Sequence, residues 1–373
     1  MRVRICDFPT GRRILDVPFL QASWTSEFNG AEDVSCTVDV NDRRIRRLGV
    51  ANAASVAKSC LIIDDGNLCV GGPIWNVAYD RDQGTVQITG KGLWSYFDHR
   101  VLLPVMCDGD RLTNQDGSAN TAFDTNITNT SYENIVKRWV MQANAWMPEA
   151  SRIPIAYGDD VPGVFQRNIK GAETKLVGDL MTDITGVEQG VDIRFQPRRT
   201  TDGLGYEWLL MCGHPRLTST SVKRWDMSVP KSPITGLKVE VDGSDMASQV
   251  WETGGASSDT AIIERAIDGS MRAKGYPMLE RVESLSTTVI DKDTAIRHAN
   301  ETIRTSTQPR QSWSFDVRRD ATLGSDWDAG YPCSIRTKRD PFIPDGWHDL
   351  RIMTLSGSSS DDKISVKTGV VYG

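Results

Sequence analysis

Gly90-Lys91-Gly92-Leu93-Trp94-Ser95 follows a strand-like stretch and opens like a glycine-rich phosphate loop. Such a loop holds its anion at the N-terminus of a long following helix. Here Ser95 stands where the third glycine belongs, and Pro104 interrupts the chain after few helical residues, so nucleotide binding is not expected. The histidines His99, His214, His298 and His348 fall at no metal-binding spacing, and His298 is expected to be solvated. The stretch Asp108 to Asn126 is rich in oxygen ligands. Leu112 and Thr113 nevertheless occupy places where a calcium loop needs a ligand and a glycine. No Walker A sequence and no G-x-S-x-G elbow occurs, and a Ser-His-Asp triad built from distant positions is a question of geometry that spacing does not answer. No catalytic, cofactor or metal residues are predicted.

The cysteines Cys6, Cys36, Cys60, Cys69, Cys107, Cys212 and Cys333 are odd in number and form no C-x-x-C pair. The first four lie in apolar, strand-like stretches, where a thiol of a reducing compartment acts as a small hydrophobe. Cys60 and Cys69 flank the turn Asp64 to Asn67 and are placed to face each other across a hairpin. Two features suit binding better than catalysis. Arg43, Arg44, Arg46 and Arg47 form the densest charge run, fit for phosphates or, in an acidic chain, rather for an acidic protein face, and more plainly for solvent. Of the 11 tryptophans, Trp139, Trp146 and Trp313 fall on apolar faces, whereas Trp327 and Trp347 stand in Asp-rich loops as candidate exposed interface anchors.

These side chains need a framework, and composition bounds it. The chain has 373 residues, enough for two or three domains, with 43 basic against 49 acidic groups and a net charge of −6. That balance disfavours a protein whose task is to grip nucleic acid. A content of 39% hydrophobic and 25% charged residues excludes wholesale disorder. The longest apolar run, Val101 to Cys107, contains a proline and is far short of the roughly 20 residues of a membrane-spanning helix. Met1 to Asp7 has no apolar core, so no secretory signal is expected.

Val34, Cys36, Val38 and Val40 alternate with polar neighbours, the period of a half-buried strand. Leu61 to Val70 reads as a hairpin, and Pro73 to Tyr79 and Thr85 to Thr89 as the arms of another. Asp108 to Asn129 is expected to be an exposed loop. Thr130-Ser-Tyr-Glu133 has capping-box spacing and begins a helix that runs to Pro148. A second helix is predicted over Ala172 to Thr185, stopped by Gly186, with strands at 191–195 and 206–211. Leu237, Val239 and Val241 resume strand alternation. Thr253 to Asp259 reads as a mobile loop, Asp291 to Arg304 as a third helix, and strands close the chain. No tandem repeat is present. An α+β insertion between two β-rich parts follows.

Asp65-Gly66-Asn67-Leu68-Cys69-Val70-Gly71-Gly72-Pro73-Ile74-Trp75 and Gly84 to Arg100 resemble the N-terminal barrel of tail hub proteins of long-tailed bacteriophages, also called minor tail or baseplate hub proteins. Asp293 to Ile303, Trp313 to Arg318 and Asp328-Ala-Gly-Tyr-Pro-Cys-Ser-Ile335 resemble that family's closing helix and strands. The resemblance implies a β-rich α+β chain with two tube-like antiparallel β-barrels and a small α+β insertion. The corresponding parts are 1–107, 108–228 and 229–373. It implies a homotrimer whose six barrels form a pseudo-sixfold ring closing the distal end of the tail tube. Its partners would be the distal tail protein, the tape measure protein and other tail-tip or fibre proteins, with genomic DNA only in transit. The location would be the virion tail tip, after synthesis in the host bacterial cytoplasm. An acidic lumen would repel passing DNA. No lysozyme or peptidase extension is recognisable; the alternative is a tail protein that binds host-surface carbohydrate or degrades the wall.

Overall fold

The computed structural model describes residues 1–66, 68–149, 152–187, 190–219, 222–257, 260–284, 292–321 and 327–370. Alternation governs its N-terminal strands: β1 (Arg2–Asp7), β2 (Arg13–Asp16), β3 (Gln21–Glu27) and β4 (Asp33–Asp39). Val34, Cys36 and Val38 point into the core as their period predicts. Short helices α1 (Arg43–Leu48) and α2 (Val50–Ala53) lead to β5 (Ser59–Asp65), β6 (Leu68–Asp80), β7 (Thr85–Lys91) and the single turn α3 (Trp94–Phe97).

The middle of the chain holds β8 (Thr125–Thr130), α4 (Tyr132–Asn144), β9 (Ile155–Tyr157), β10 (Phe165–Ile169), α5 (Val177–Thr185), β11 (Asp192–Arg199) and β12 (Tyr206–Gly213). It is followed by β13 (Lys223–Asp226), β14 (Ile234–Asp242), β15 (Gln249–Ser257), β16 (Thr260–Ile267), α6 (Ser270–Ala273), β17 (Glu280–Ser284) and α7 (Lys292–Ser306). Strands β18 (Arg310–Arg318), β19 (Pro332–Thr337), β20 (Gly346–Ser358) and β21 (Lys363–Val370) close it.

Thirteen strands form one sheet, in the order β14-β18-β21-β20-β3-β4-β7-β6-β5-β1-β2, with β19 on β20 and β13 on β19. The two ends of the chain meet at β3 and β20, where Ser26 pairs with Leu355. They share one core, in which Trp24, Val34 and Ile88 join Trp313, Phe315 and Ile352. Strand β5 is buried on both faces. Leu61 and Ile63 enter this core, while Cys60 and Ile62 enter a second one built from α4, α5, β11 and β12. A third, small core of Ala247, Val250, Ala266, Ala299 and Ile303 lies between the sheet β16-β15-β17 and α7. The protein is thus β-rich, with its longest helices, α4, α5 and α7, in the second core and on this satellite sheet.

Several expectations shift. The two strands expected at Leu68–Val70 and Pro73–Tyr79 are one, β6, which pairs with β5 up to Pro73 and with β7 from Ile74. Pro73 has no N–H to give, and at Gly72 a Cβ would lie 2.0 Å from the Lys91 carbonyl oxygen, so only glycine admits the crossing. The polar loop ending at Asn129 contains β8, whose backbone pairs with β10. Ser131, not Thr130, caps α4, its hydroxyl accepting from the Asn134 N–H, because Thr130 still belongs to β8. Helix α5 starts at Val177; Gly171–Glu173 is a separate turn cut off by Thr174 at φ +48. Thr253–Ser257 is strand rather than mobile loop, since β16 pairs along it and β17 reaches it at Thr253; residues 258 and 259 lie outside the described residues, as do Asn67 and Asp291. Cys60 faces Pro73 and Cys69 faces Asp64, so these thiols do not meet; Cys60 lies opposite Cys6 on β1.

Candidate interaction surface and junction sites

Helix α1 presents the arginine run. Asp42 caps it by accepting from the Arg44 N–H at 2.7 Å, Gly49 at φ +66 ends it, and Ile45 anchors it in the main core. Arg43, Arg44, Arg46 and Arg47 are exposed. Arg43 and Arg44 occupy the first turn, where the helix dipole disfavours cations, and the acidic side chain that offsets them is the N-cap Asp42, ion-paired to Arg44 at 2.9 Å. Arg44 leans back on Asp42 and Arg46 on the Val40 carbonyl, leaving Arg43 and Arg47 as the outermost positive charges of the ridge.

The two tryptophans part company. Trp327 is 3% exposed, packed edge-on to Trp225 at 5.6 Å within the main core, so it is no surface anchor. The aspartates near it suggested a wet loop, but Asp328 is itself buried in an ion cluster. Trp347 is 48% exposed on β20, with the Arg224 guanidinium 5.9 Å from its ring. Phe342, 75% exposed, lies in the loop between β19 and β20.

The chemistry-bearing residues serve packing. Thr337 and His348 make a hydroxyl–imidazole contact of 2.8 Å, but both also reach the Pro344 carbonyl, so they clamp the 338–345 loop, and Thr337 is buried. His214 packs against Tyr132 and Phe165, and His99 against Trp75. His298 is half-buried rather than solvated because α7 leans on the end of α5 beside Gly186; burial and the nearby Arg167 charge lower its pKa. Burial pushes the Cys36 and Cys333 thiols up to about 12, closing them to thiolate chemistry. Gly92, in the apparent phosphate loop, instead lets Glu32 approach, its N–H donating to the Glu32 carbonyl at 2.7 Å. Among the described residues no group of three His, Cys, Asp or Glu is placed to hold a metal, and no described helix is long and apolar enough to cross a membrane. An open polar cavity of about 720 Å³ lies between Phe19, Arg318, Arg319 and Ser359–Asp362.

Four ionic clusters that sequence reasoning missed tie the parts together. Arg194 of β11 meets Asp328 at 2.7 Å and Glu32 at 3.3 Å, side chains only 2%, 5% and 3% exposed. Its guanidinium also donates to Ser26 of β3 at 3.0 Å. Burial pushes the Glu32 carboxyl up to about 8, with Arg194 pulling it down and Asp328 pushing it further up. Asp192 pairs with Arg351 of β20 and accepts from Asn29 at 2.9 Å and from the Leu217 N–H at 2.8 Å. Asp64 of β5 gathers Arg4, Arg199 and the Tyr206 hydroxyl. Asp65 holds Arg319 and accepts from Trp24 Nε1 at 2.9 Å, joining β5 to the turn after β18. No local signal marks these residues, whose partners are far away in sequence.

No protein-family model matches the chain, and no curated protein matches it by sequence. Solved structures do. A tail protein from Neisseria meningitidis MC58 superposes with a TM-score of 0.58 over 99% of this chain and 95% of that one, at 11% identity. The 43 kDa tail protein of prophage MuSo2 from Shewanella oneidensis gives 0.55 over 100% and 98%, at 12% identity. The likeness is one of fold, and it spans all three cores. The chain has the fold of phage tail proteins, as its resemblance to tail hub proteins implied.

Proposed function

We propose that this chain is a structural protein of a phage-type tail, acting as the trimeric hub that closes the distal end of the tail tube. The observation that carries the reading is the end-to-end likeness to tail proteins. Parts 1–107 and 229–373 supply the two tube-like barrels, and 108–228 the insertion. Three copies related by a threefold rotation place six such parts in a ring through heterologous contacts, which close where the isologous contacts of a dimer would not. The ring docks on the distal tail protein, holds the end of the tape measure protein, carries tip or fibre proteins below, and opens for DNA.

The exposed ridge Arg43, Arg44, Arg46 and Arg47 and the Trp347 patch serve as protein contacts in this reading. With Trp327 in the core, the carbohydrate-binding alternative keeps one fewer exposed aromatic face. Native mass spectrometry of the purified chain tests the hub: the expected particle has three times the mass of the 41.3 kDa chain. A monomer at micromolar concentration that cleaves cell wall or binds glycan saturably would sink it.

A further inference from the structure

The cluster of Glu32, Arg194 and Asp328 sets two buried carboxylates against one guanidinium, and among the described residues what else faces it carries no compensating charge. From β3 it is met by the Ser26 hydroxyl, which lies 3.0 Å from Asp328 and 3.3 Å from Glu32. From β6 comes the Cys69 thiol, which burial holds protonated and which feels the charges of Asp64 and Glu32. Behind it the Gly92 backbone approaches Glu32. Strand β11 adds Gln196, 3.5 Å from Asp328, and the loop before β19 adds the Ala329 N–H at 2.8 Å. Two other cations are engaged elsewhere: Arg351 with Asp192, and Lys91 with Asp33 at the surface. Glu32 Oε2 is buried without a hydrogen-bond partner among the described residues. As half of a carboxylate that oxygen is uncompensated, whereas as a carboxylic acid hydroxyl it is far less so. The three residues come from three stretches of chain, so the cluster ties β11 to both the N-terminal and the C-terminal contributions to the large sheet.

We propose that this cluster is a proton-operated latch: with one proton bound it clamps β11 between the loop after β3 and the loop before β19, and when the proton leaves, the buried negative charge loosens that clamp. The sign follows from linkage. An opened junction exposes Glu32 to water, where its carboxyl titrates at its ordinary value of 4.5, while in the closed junction burial holds it up to about 8. The closed form therefore keeps a proton that the open form has lost. Closure is strongest below the open-form value and weakens as pH climbs to about 8, by up to roughly tenfold in the opening constant per pH unit, then levels off.

Hydrogen–deuterium exchange of the full chain from pH 5.5 to 9.5, corrected for intrinsic chemical exchange, reads this directly. Peptides over residues 192–199 and 26–33 are expected to lose protection with rising pH up to about 8 and no further, while β18 and β21 stay flat. Glu32→Gln, neutral at every pH, is expected to abolish the slope. Asp328→Asn leaves one carboxylate for one guanidinium and removes one of the two causes that raise the Glu32 carboxyl, so it is expected to weaken the slope and move its upper end to lower pH; it carries the test should Glu32→Gln fail to fold by circular dichroism. Protection in the wild type that is flat across the range, or a slope that survives in Glu32→Gln or stays unchanged in Asp328→Asn, overturns the latch. The measurement needs only the isolated chain, so the latch stands or falls apart from the tail assignment.

Discussion

Two sets of four arginines divide the work of this molecule. Arg43, Arg44, Arg46 and Arg47 stand together in sequence on a six-residue helix, exposed, and held to the body by Ile45. Arg4, Arg194, Arg319 and Arg351 are scattered through the chain, yet each closes a junction by pairing with a carboxylate of another segment. Density of charge in sequence marks the surface, because like charges packed side by side can only be relieved by water or by a partner. The junction arginines carry no such local mark: Arg4, Arg194 and Arg351 sit between apolar neighbours but Arg319 between Arg318 and Asp320, and what admits each guanidinium to its junction is the carboxylates and hydroxyls that distant segments bring to it.

Substitutions can break that contrast. The largest effect is expected at Arg194→Ala, which strands Glu32 and Asp328 in the interior and should lower unfolding free energy by about 3–5 kcal/mol in urea titration. Trp327→Ala is expected to lose a similar or slightly smaller amount, about 3–4 kcal/mol, from the cavity left beside Trp225, whereas Trp347→Ala should stay within about 0.5 kcal/mol of the wild type. Equal losses at the two tryptophans would contradict the burial difference. Ser131→Ala should remove about 1 kcal/mol through the orphaned Asn134 N–H, measured by the same titration. Smallest of all, Arg43→Ser combined with Arg44→Ser, Arg46→Ser and Arg47→Ser should leave the melting temperature nearly unchanged. If the ridge is a protein contact, that variant will nonetheless fail to assemble in native mass spectrometry; if it assembles like the wild type, the ridge is only a solvated face.

How much was legible depended on how local the cause was. The alternation of Val34, Cys36 and Val38, and the helical spacing of Ile135, Val136, Trp139, Val140 and Ala143, are local facts, and both faces are buried as read. Gly71-Gly72-Pro73 looks like a strand breaker, yet its small residues permit the close strand crossing that makes β6 continuous. Thr253 to Ser257 has the composition of a linker and becomes a strand because β16 pairs along it, with β17 joining at Thr253. Arg194 alternates with Ile193 and Phe195 like any outward-facing strand residue, and nothing near it reveals a carboxylate waiting 162 positions away. For the same reason the run at Arg43 was visible while the junctions were not.

The pairing of β3 with β20 has a consequence for synthesis. The Ala22 N–H finds its partner, the Ser359 hydroxyl, 337 positions later. At about 5–20 residues per second a ribosome takes roughly 15–70 s to cover that distance. Throughout that interval the edge of β3 that β20 will cover is a bare row of amides and carbonyls on a half-finished chain. Completion of the sheet must wait for nearly the last segment to emerge, so a nascent chain stalled short of β20 offers an open strand edge to whatever chaperone, or whatever other nascent copy, is nearest.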